Sequence, residues 1–340
     1  MATNNTTSTL PNQVSVYYDK VFLEQFKAML RFGMGAYKKS IPANSGKQII
    51  FNRMAVPTLA TTALTEGVNP TSIALSSTQV TSTINIYGAS TQTSEFFEET
   101  SIDAGLKEQV EVMAQHGAET VNQVIRGVVT SFLTTPGSTI QRATGVATDA
   151  LITSGLVLTG MEIRRAVRTL KKNKAMSFED GYFMSIIPVE TAYDLRGNTE
   201  WLDAYRYVDP SVIQNGEIGR LHGVRFFETN DATVTAGGTA LSGLTNYAVS
   251  GTVADATRSI VGTTVTDIYE TFVFGKQAFA IVDVQGADAG KEPIIIIKKP
   301  NVYDSSNALN MFSVISWKVK FSAVVLNSSW IVSIRTSAGV

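Results

Sequence analysis

Apolar and polar residues alternate along this chain with two different periods, and the switches between them mark its elements. Between residues 16 and 32, Tyr18, Phe22, Phe26, Met29 and Leu30 recur at helical spacing, with Asp19, Lys20, Glu24, Lys27 and Arg31 largely on other faces. The spacing predicts a short amphipathic helix, stopped by Gly33 and Gly35, behind a polar arm over residues 1–14. A strand follows over 48–54, entered through the turn Ser45-Gly46-Lys47 and ended by Pro57. From 61 to 94 the one charged residue is Glu66. Within that stretch, 79–94 sets Val80, Ile84, Ile86 and Tyr87 among threonines and serines, the pattern of a β-ribbon with two weakly polar faces. A two-stranded ribbon is marginal alone in water, and free faces and edges invite association. Its cover is either the chain's own core, in a lone globular domain, or adjacent subunits, in an assembly.

Near Ser101 the period changes. Ile102, Leu106, Val110, Met113, Gly117, Val121, Val124, Val128 and Phe132 recur every three or four residues. Ser101 is placed to cap this helix, Asp103 sits in its first turn, and Thr134-Thr135-Pro136-Gly137 stops it. A helix over 101–133 is about 48 Å long. That suits either a long bundle helix or a spine running the length of a plate-like subunit. A second helix starts at Thr159, with Ile163, Val167 and Leu170 on its apolar side. Arg164, Arg165, Arg168, Lys171, Lys172 and Lys174 cluster toward its end. Cations there complement the helix dipole, which accounts for most of the cluster. A nucleic-acid site would add an aromatic stacking platform or an opposing basic lobe, and neither accompanies it. Strands are expected at 182–187, 223–228, 269–273, 279–284, 294–298, 312–326 and 330–335, and a helix at 189–196 that begins after Pro188. Residues 231–267, rich in Gly, Ala and Thr, read as a long loop or insertion. The fold class is α+β.

Composition sharpens this picture. The 340 residues are 44% hydrophobic but only 17% charged, against about 25% in an ordinary soluble domain. The surface must therefore be rich in Ser, Thr and Asn, or occupied by other subunits. With 28 basic and 29 acidic residues the net charge is −1, which argues against a protein whose main task is gripping nucleic acid by counterion release. There is no Cys, hence no disulfide, thiolate metal site or Cys nucleophile, and His116 and His222 are isolated. The N-terminus lacks the apolar core of a signal peptide, and no apolar run approaches the roughly 20 residues of a membrane span. A soluble, cytoplasmically made protein is expected.

Catalytic signatures are missing. Gly33-Met34-Gly35-Ala36-Tyr37-Lys38 lacks the third glycine of a dinucleotide fingerprint and follows a helix. Asp283 reads as a strand-end residue without an acidic partner, and Glu95, Glu98 and Glu99 as an acidic knot complementing the start of the long helix. His116 reads as a packed histidine beside the apolar face. No catalytic, cofactor-binding or metal-binding residue is nominated, and a small-molecule enzyme of mixed fold is the weakest reading.

Several local signatures occur in one order along nearly the whole chain: IPANSGKQIIFNR (41–53), TEGVNP (65–70), YGASTQTSE (87–95), IPVETAYDLRGN (187–198), RLHGVRFFETND (220–231), YETFVFGKQAFAIVD (269–283) and ISWKVKFSAVVLNSSWIVSIRT (315–336). In that order the chain resembles the major capsid proteins of tailed bacteriophages, most closely the N-four-like podophage group, with the Johnson (Hong Kong 97-like) fold. Residues 231–267 depart from the family pattern. The resemblance implies an N-terminal arm and short helix (1–40), an extended E-loop (41–95), a P domain holding the spine helix (96–145 and 285–340), and an A domain (146–284). It implies pentamers and hexamers of an icosahedral head around double-stranded DNA, assembled in a bacterial cytoplasm. Portal, scaffolding and decoration proteins would be partners, DNA contact would be weak and non-specific, and no membrane or cofactor would be involved. An encapsulin-like cargo compartment is the alternative shell. On this reading Lys47, Glu66, Ile84, Ile86 and Tyr87 are candidate intersubunit contacts.

Overall fold

The computed structural model of the chain describes residues 31–42, 45–54, 57–64, 66–67, 69, 71–100, 106–131, 139–152, 155–201, 217–230, 234–236, 267–285, 293–298 and 311–338. The expected arm, nearly all of the helix over 16–32, the Ser101 cap, the stop at 134–137 and most of 231–267 lie outside the described residues. In chain order the strands are β1 (Tyr37–Pro42), β2 (Gln48–Met54), β3 (Ser77–Thr83), β4 (Asn85–Ser94), β5 (Thr139–Arg142), β6 (Phe183–Pro188), β7 (Glu217–Leu221), β8 (Val224–Thr229), β9 (Val234–Ala236), β10 (Asp267–Phe274), β11 (Phe279–Gln285), β12 (Ile294–Lys298), β13 (Phe312–Val325) and β14 (Ile331–Thr336). The helices are α1 (Glu95–Thr100), α2 (Leu106–Ser131), α3 (Gly160–Lys172) and α4 (Val189–Gly197).

Strand β13 organises the first sheet. Its 14 residues alternate strictly over most of their length, burying Ser313, Ile315, Trp317, Val319 and Phe321 while Lys318 and Lys320 sit between them half-exposed. One edge of β13 pairs with β4, from Phe312↔Ser94 to Phe321↔Asn85. The other edge is shared, β12 pairing with 314–318 and β11 with 321–325. Parallel β1 lies outside β11 and completes the five-stranded sheet. Helix α2 lies across β13. Its seam of Val110, Met113, Ala114, Ala118, Val121, Ile125 and Val129 joins Ile315, Trp317, Val319 and Phe321 in one core. Small residues in the seam let the helix approach closely. The seam follows the helical repeat through Ile125 and Val129, so the expected Val124 and Val128 stand half-buried at its margin. His116 is exposed, with its ring 5.8 Å from that of Trp317.

The seven-stranded sheet runs β5-β14-β10-β6-β8-β7, with β9 beside β10. Both of its faces are buried. Ile186, Phe272, Phe274 and Ile331 point into the core that contains α2, whereas Phe183, Ile187, Val273, Val332 and Ile334 meet α3 and α4 on the other side. Two-sided burial explains why FMSII, TFVF and IVSI are nearly continuous apolar runs instead of alternating ones.

Several elements carry no clear local signal. Strand β1 has two lysines and a proline and is drawn into the sheet by its pairing with β11. Strands β5 and β9 are too short to show a period, and β7 is broken at Gly219. Glu95, Glu98 and Glu99 belong to a helix of their own, α1. Asp283 is not at a strand end. It sits exposed inside β11, between Ser40 and Phe321 in register.

A neutral ion network closes the buried end of the second sheet. Arg335 on β14 stands opposite Glu270 on β10, donating to its Oε1 at 2.7 Å, and also donates to Asp149 at 2.5 Å. Arg142 holds the other Asp149 oxygen at 2.6 Å. Glu270 is 2% exposed. Burial pushes its carboxyl above the ordinary range, and the Arg335 guanidinium pulls it back in part. An acid whose pKa rises on folding contributes fully below its unfolded pKa, and that contribution is lost as pH rises through the folded value. Arg335→Leu is therefore expected to destabilise the chain by about 3–5 kcal/mol at neutral pH. The penalty should shrink in acid, where Glu270 takes up a proton, and Arg335→Leu with Glu270→Leu should recover most of it. Denaturant unfolding at a series of pH values measures all three.

Candidate assembly interface

Strands β2 and β3 pair over their full length, from Gln48↔Thr83 to Met54↔Ser77, and form a sheet of two. The ribbon is about 23 Å long. At its root one face is held by the body. Ile49 and Phe51 pack around Ile41, Ile84 and Val282, the Ile84 N–H donates to the Lys47 carbonyl at 2.9 Å, and Ser82 Oγ donates to Ser322 Oγ at 2.8 Å. Lys39 Nζ lies 5.3 Å from the centre of the Phe51 ring. The opposite face, with Ile50 and Met54, is uncovered, and Met54 is 69% exposed. Beyond the strands Leu59 and Leu64 are 76% and 72% exposed, and Ile73 and Leu75 are exposed as well.

The structure divides the expected ribbon at Ile84. Residues 77–83 run in the ribbon, while 85–94 leave it to pair with β13. Both halves carry the same alternation, and what separates them is the partner. A long strand with a free edge takes one half, and β2 takes the other. Two of the five candidate contacts also touch their own chain. Ile84 is 8% exposed within the chain's own small core, and Tyr87 is half-buried with its ring 5.1 Å from that of Phe321. Ile84 is covered by its own chain, and Tyr87 only in part. Ile86 remains 69% exposed on β4. Lys47 and Glu66 are exposed and form no ion pair among the described residues.

A second apolar patch escaped the sequence reading. Phe96 and Phe97 on α1 are exposed, as are Met311 and Phe312, and the two segments are joined by the Glu95 N–H donating to the Met311 carbonyl at 2.7 Å. Adjacent phenylalanines between glutamates were the available signal, since one short helix cannot bury both. This patch lies at the far end of β4 from the ribbon root, about 30 Å away along the strand.

The most chemically suggestive cluster is Glu200, which accepts from His222 Nε2 at 3.0 Å and from Arg164 at 3.3 Å. The His222 hydrogen bond holds Glu200 below the ordinary carboxylate range, with Arg164 adding to the effect. The His222 backbone is left-handed, at φ 50°, in the tight β7–β8 turn. The group is half-exposed, and no hydroxyl nucleophile is hydrogen-bonded to it among the described residues. Among those residues no group of three or more His, Asp or Glu side chains could hold a metal ion. No helix there is long and apolar enough to cross a membrane.

No family model and no curated protein matches the chain. Solved structures do. The chain is similar to the capsid of Ralstonia phage GP4, with TM-score 0.61 and 10% identity over 90% of this chain and 87% of that one. The cyanophage Pam1 capsid asymmetric unit gives 0.60 and 14% over 93% and 92%. The capsid structure of cyanophage P-SCSP1u gives 0.59 and 14% over 89% and 87%. At such identities the likeness is one of fold, and the fold is the Hong Kong 97-like fold of phage capsids.

Root and face should respond differently to mutation. Ile84→Ala is expected to cost about 2–5 kcal/mol by opening the small core. Met54→Ser, on the uncovered face, should stay within about 0.5 kcal/mol. Denaturant titration of the unassembled chain makes the comparison.

Proposed function

We propose that this chain is a major capsid protein, a structural protein without turnover that assembles into pentamers and hexamers of an icosahedral phage head around double-stranded DNA. The observation that carries the reading is the uncovered apolar ribbon on a body whose fold is that of phage capsids. Intersubunit burial supplies the cover that the chain itself does not provide, and obligate interfaces of this kind exceed about 2,000 Å². The same burial accounts for the charge deficit. The order of the local signatures supports placement in the N-four-like podophage group.

The domain division follows from the same likeness: arm and short helix over 1–40, E-loop over 41–95, P domain over 96–145 and 285–340, and A domain over 146–284. Strand pairing favours a narrower projecting ribbon, 48–83, with 85–94 joined to the P-domain sheet. Lys47 and Glu66 are proposed to pair with charges of adjacent subunits, and Ile86 to lie against one. Portal, scaffolding and decoration proteins complete the expected partners, with assembly in the host cytoplasm and residence in the virion.

Leu59→Ser with Leu64→Ser tests the reading. These positions are exposed, so the chain should fold as before while losing closed particles in electron micrographs and eluting as small species. A wild-type chain that stays monomeric would refute the proposal, and normal shells from the variant would remove Leu59 and Leu64 from the contact. Shells that hold a protein cargo and no DNA would favour the encapsulin-like compartment. Reversing Lys47 or Glu66 singly should weaken particles by up to about 1 kcal/mol per contact, read as a lower dissociation temperature.

A further inference from the structure

Helix α3 concentrates charge in a chain that has little. Residues 159–176 hold six cations, Arg164, Arg165, Arg168, Lys171, Lys172 and Lys174, against Glu162 alone. That is an excess of five in a chain of net −1, so the rest of the molecule carries −6. The helix turns Glu162, Ile163, Ala166, Val167 and Leu170 into the core and leaves Arg164, Arg168, Lys171 and Lys172 on its outer ridge. Lys174 continues the ridge beyond the helix end.

Two acids beside the ridge, Glu162 and Glu200, are already engaged. Glu162 is buried, accepting from the Thr144 N–H at 2.9 Å and from Arg165 at 3.0 Å. Glu200 is taken by Arg164 and His222. Arg168, Lys171, Lys172 and Lys174 form no ion pair among the described residues. The helix dipole favours the last-turn lysines but does not account for Arg164 and Arg168 further back. The ridge is also anchored. Asn173 Nδ2 donates to the Ser329 carbonyl at 2.9 Å, and Trp330 Nε1 donates to the Asn173 carbonyl at 3.2 Å.

We infer that the α3 ridge contacts the sugar–phosphate backbone of the enclosed duplex. The inference deepens the shell reading and rests on it. Between Arg164 and Lys174 no apolar side chain interrupts the outer ridge, and Met161 and Met176 lie only at its ends. Protein interfaces place aromatic or aliphatic anchors at their centre and are depleted in lysine. A line of cations without such an anchor suits sequence-independent phosphate contact. With four unpaired cations the contact is weak and releasable, losing about 100-fold between 50 and 200 mM salt. The −6 carried by the remainder of each subunit opposes adhesion elsewhere on the molecule.

Two measurements test the ridge. In the first, a short DNA duplex is titrated with the purified full-length chain, wild type and the variant Arg168→Gln, Lys171→Gln, Lys172→Gln, Lys174→Gln. These side chains are exposed, so the variant keeps its fold. The variant should bind at least about 10-fold more weakly at low salt, with a log–log salt slope shallower by about 3.6. Equal affinity and slope, or no duplex binding by the wild type at low salt, would overturn the inference. This arm needs no shells, so a chain that never assembles removes the proposed function while the titration still decides the ridge. In the second, amine acetylation of DNA-filled and emptied shells is followed by mass spectrometry. Lys171, Lys172 and Lys174 should react several-fold more slowly in filled shells, with Lys47 unchanged between the two. Equal rates would contradict the contact. Slow reaction in both would show that an acidic protein surface covers the ridge instead, and would equally overturn it.

Discussion

Two paired strands can satisfy the hydrogen bonds between them but not those along their outer edges, and they can bury at most the face that something else supplies. In this chain the body covers one face of the ribbon at its root, through Ile41, Ile84 and Val282, and leaves the face of Ile50 and Met54 open. Much else in the molecule follows from that shortfall. Its described residues leave apolar surface exposed there, and the exposed patch of Phe96, Phe97, Met311 and Phe312 at the other end of β4 adds to it.

The body behind the ribbon is built to be stiff. One long strand, β13, is shared by three neighbours and backed by α2, and the second sheet is buried on both faces. Charges admitted to its interior are neutralised in place, as in the Arg142, Asp149, Arg335 and Glu270 network and in the Glu162–Arg165 pair. Such networks contribute modestly to stability but are costly to break, so they fix the arrangement of the elements they join. With internal charges matched and the ribbon almost uncharged, the cations of α3 stand out as the one concentration of positive charge left facing solvent among the described residues.

The likeness to phage capsids at 10–14% identity shows how little of this fold depends on particular residues. What this chain brings to the fold is pattern: a strand alternating over most of its length, a helix with a seam to lay on it, and strands apolar on both faces. Many residues satisfy each requirement, which is why the fold persists where sequence matching finds nothing.

Residue spacing and composition alone determined the strand alternation of Trp317, Val319 and Phe321, the apolar side of α3, part of the α2 seam, and the low-charge stretch. These are local properties, set by the spacing of side chains around a helix or across a strand. Tertiary structure alone decided which strands pair. It sent 77–83 into the ribbon and 85–94 to β13, drew the lysine-bearing β1 beside β11, and put Ile84 under the chain's own cover. It also brought Arg335 to Glu270 and Glu95 to Met311, across more than two hundred residues in the latter case. Pairing of this kind rests on edges and faces that distant segments offer one another, and alternation reads the same whichever edge a strand finally joins.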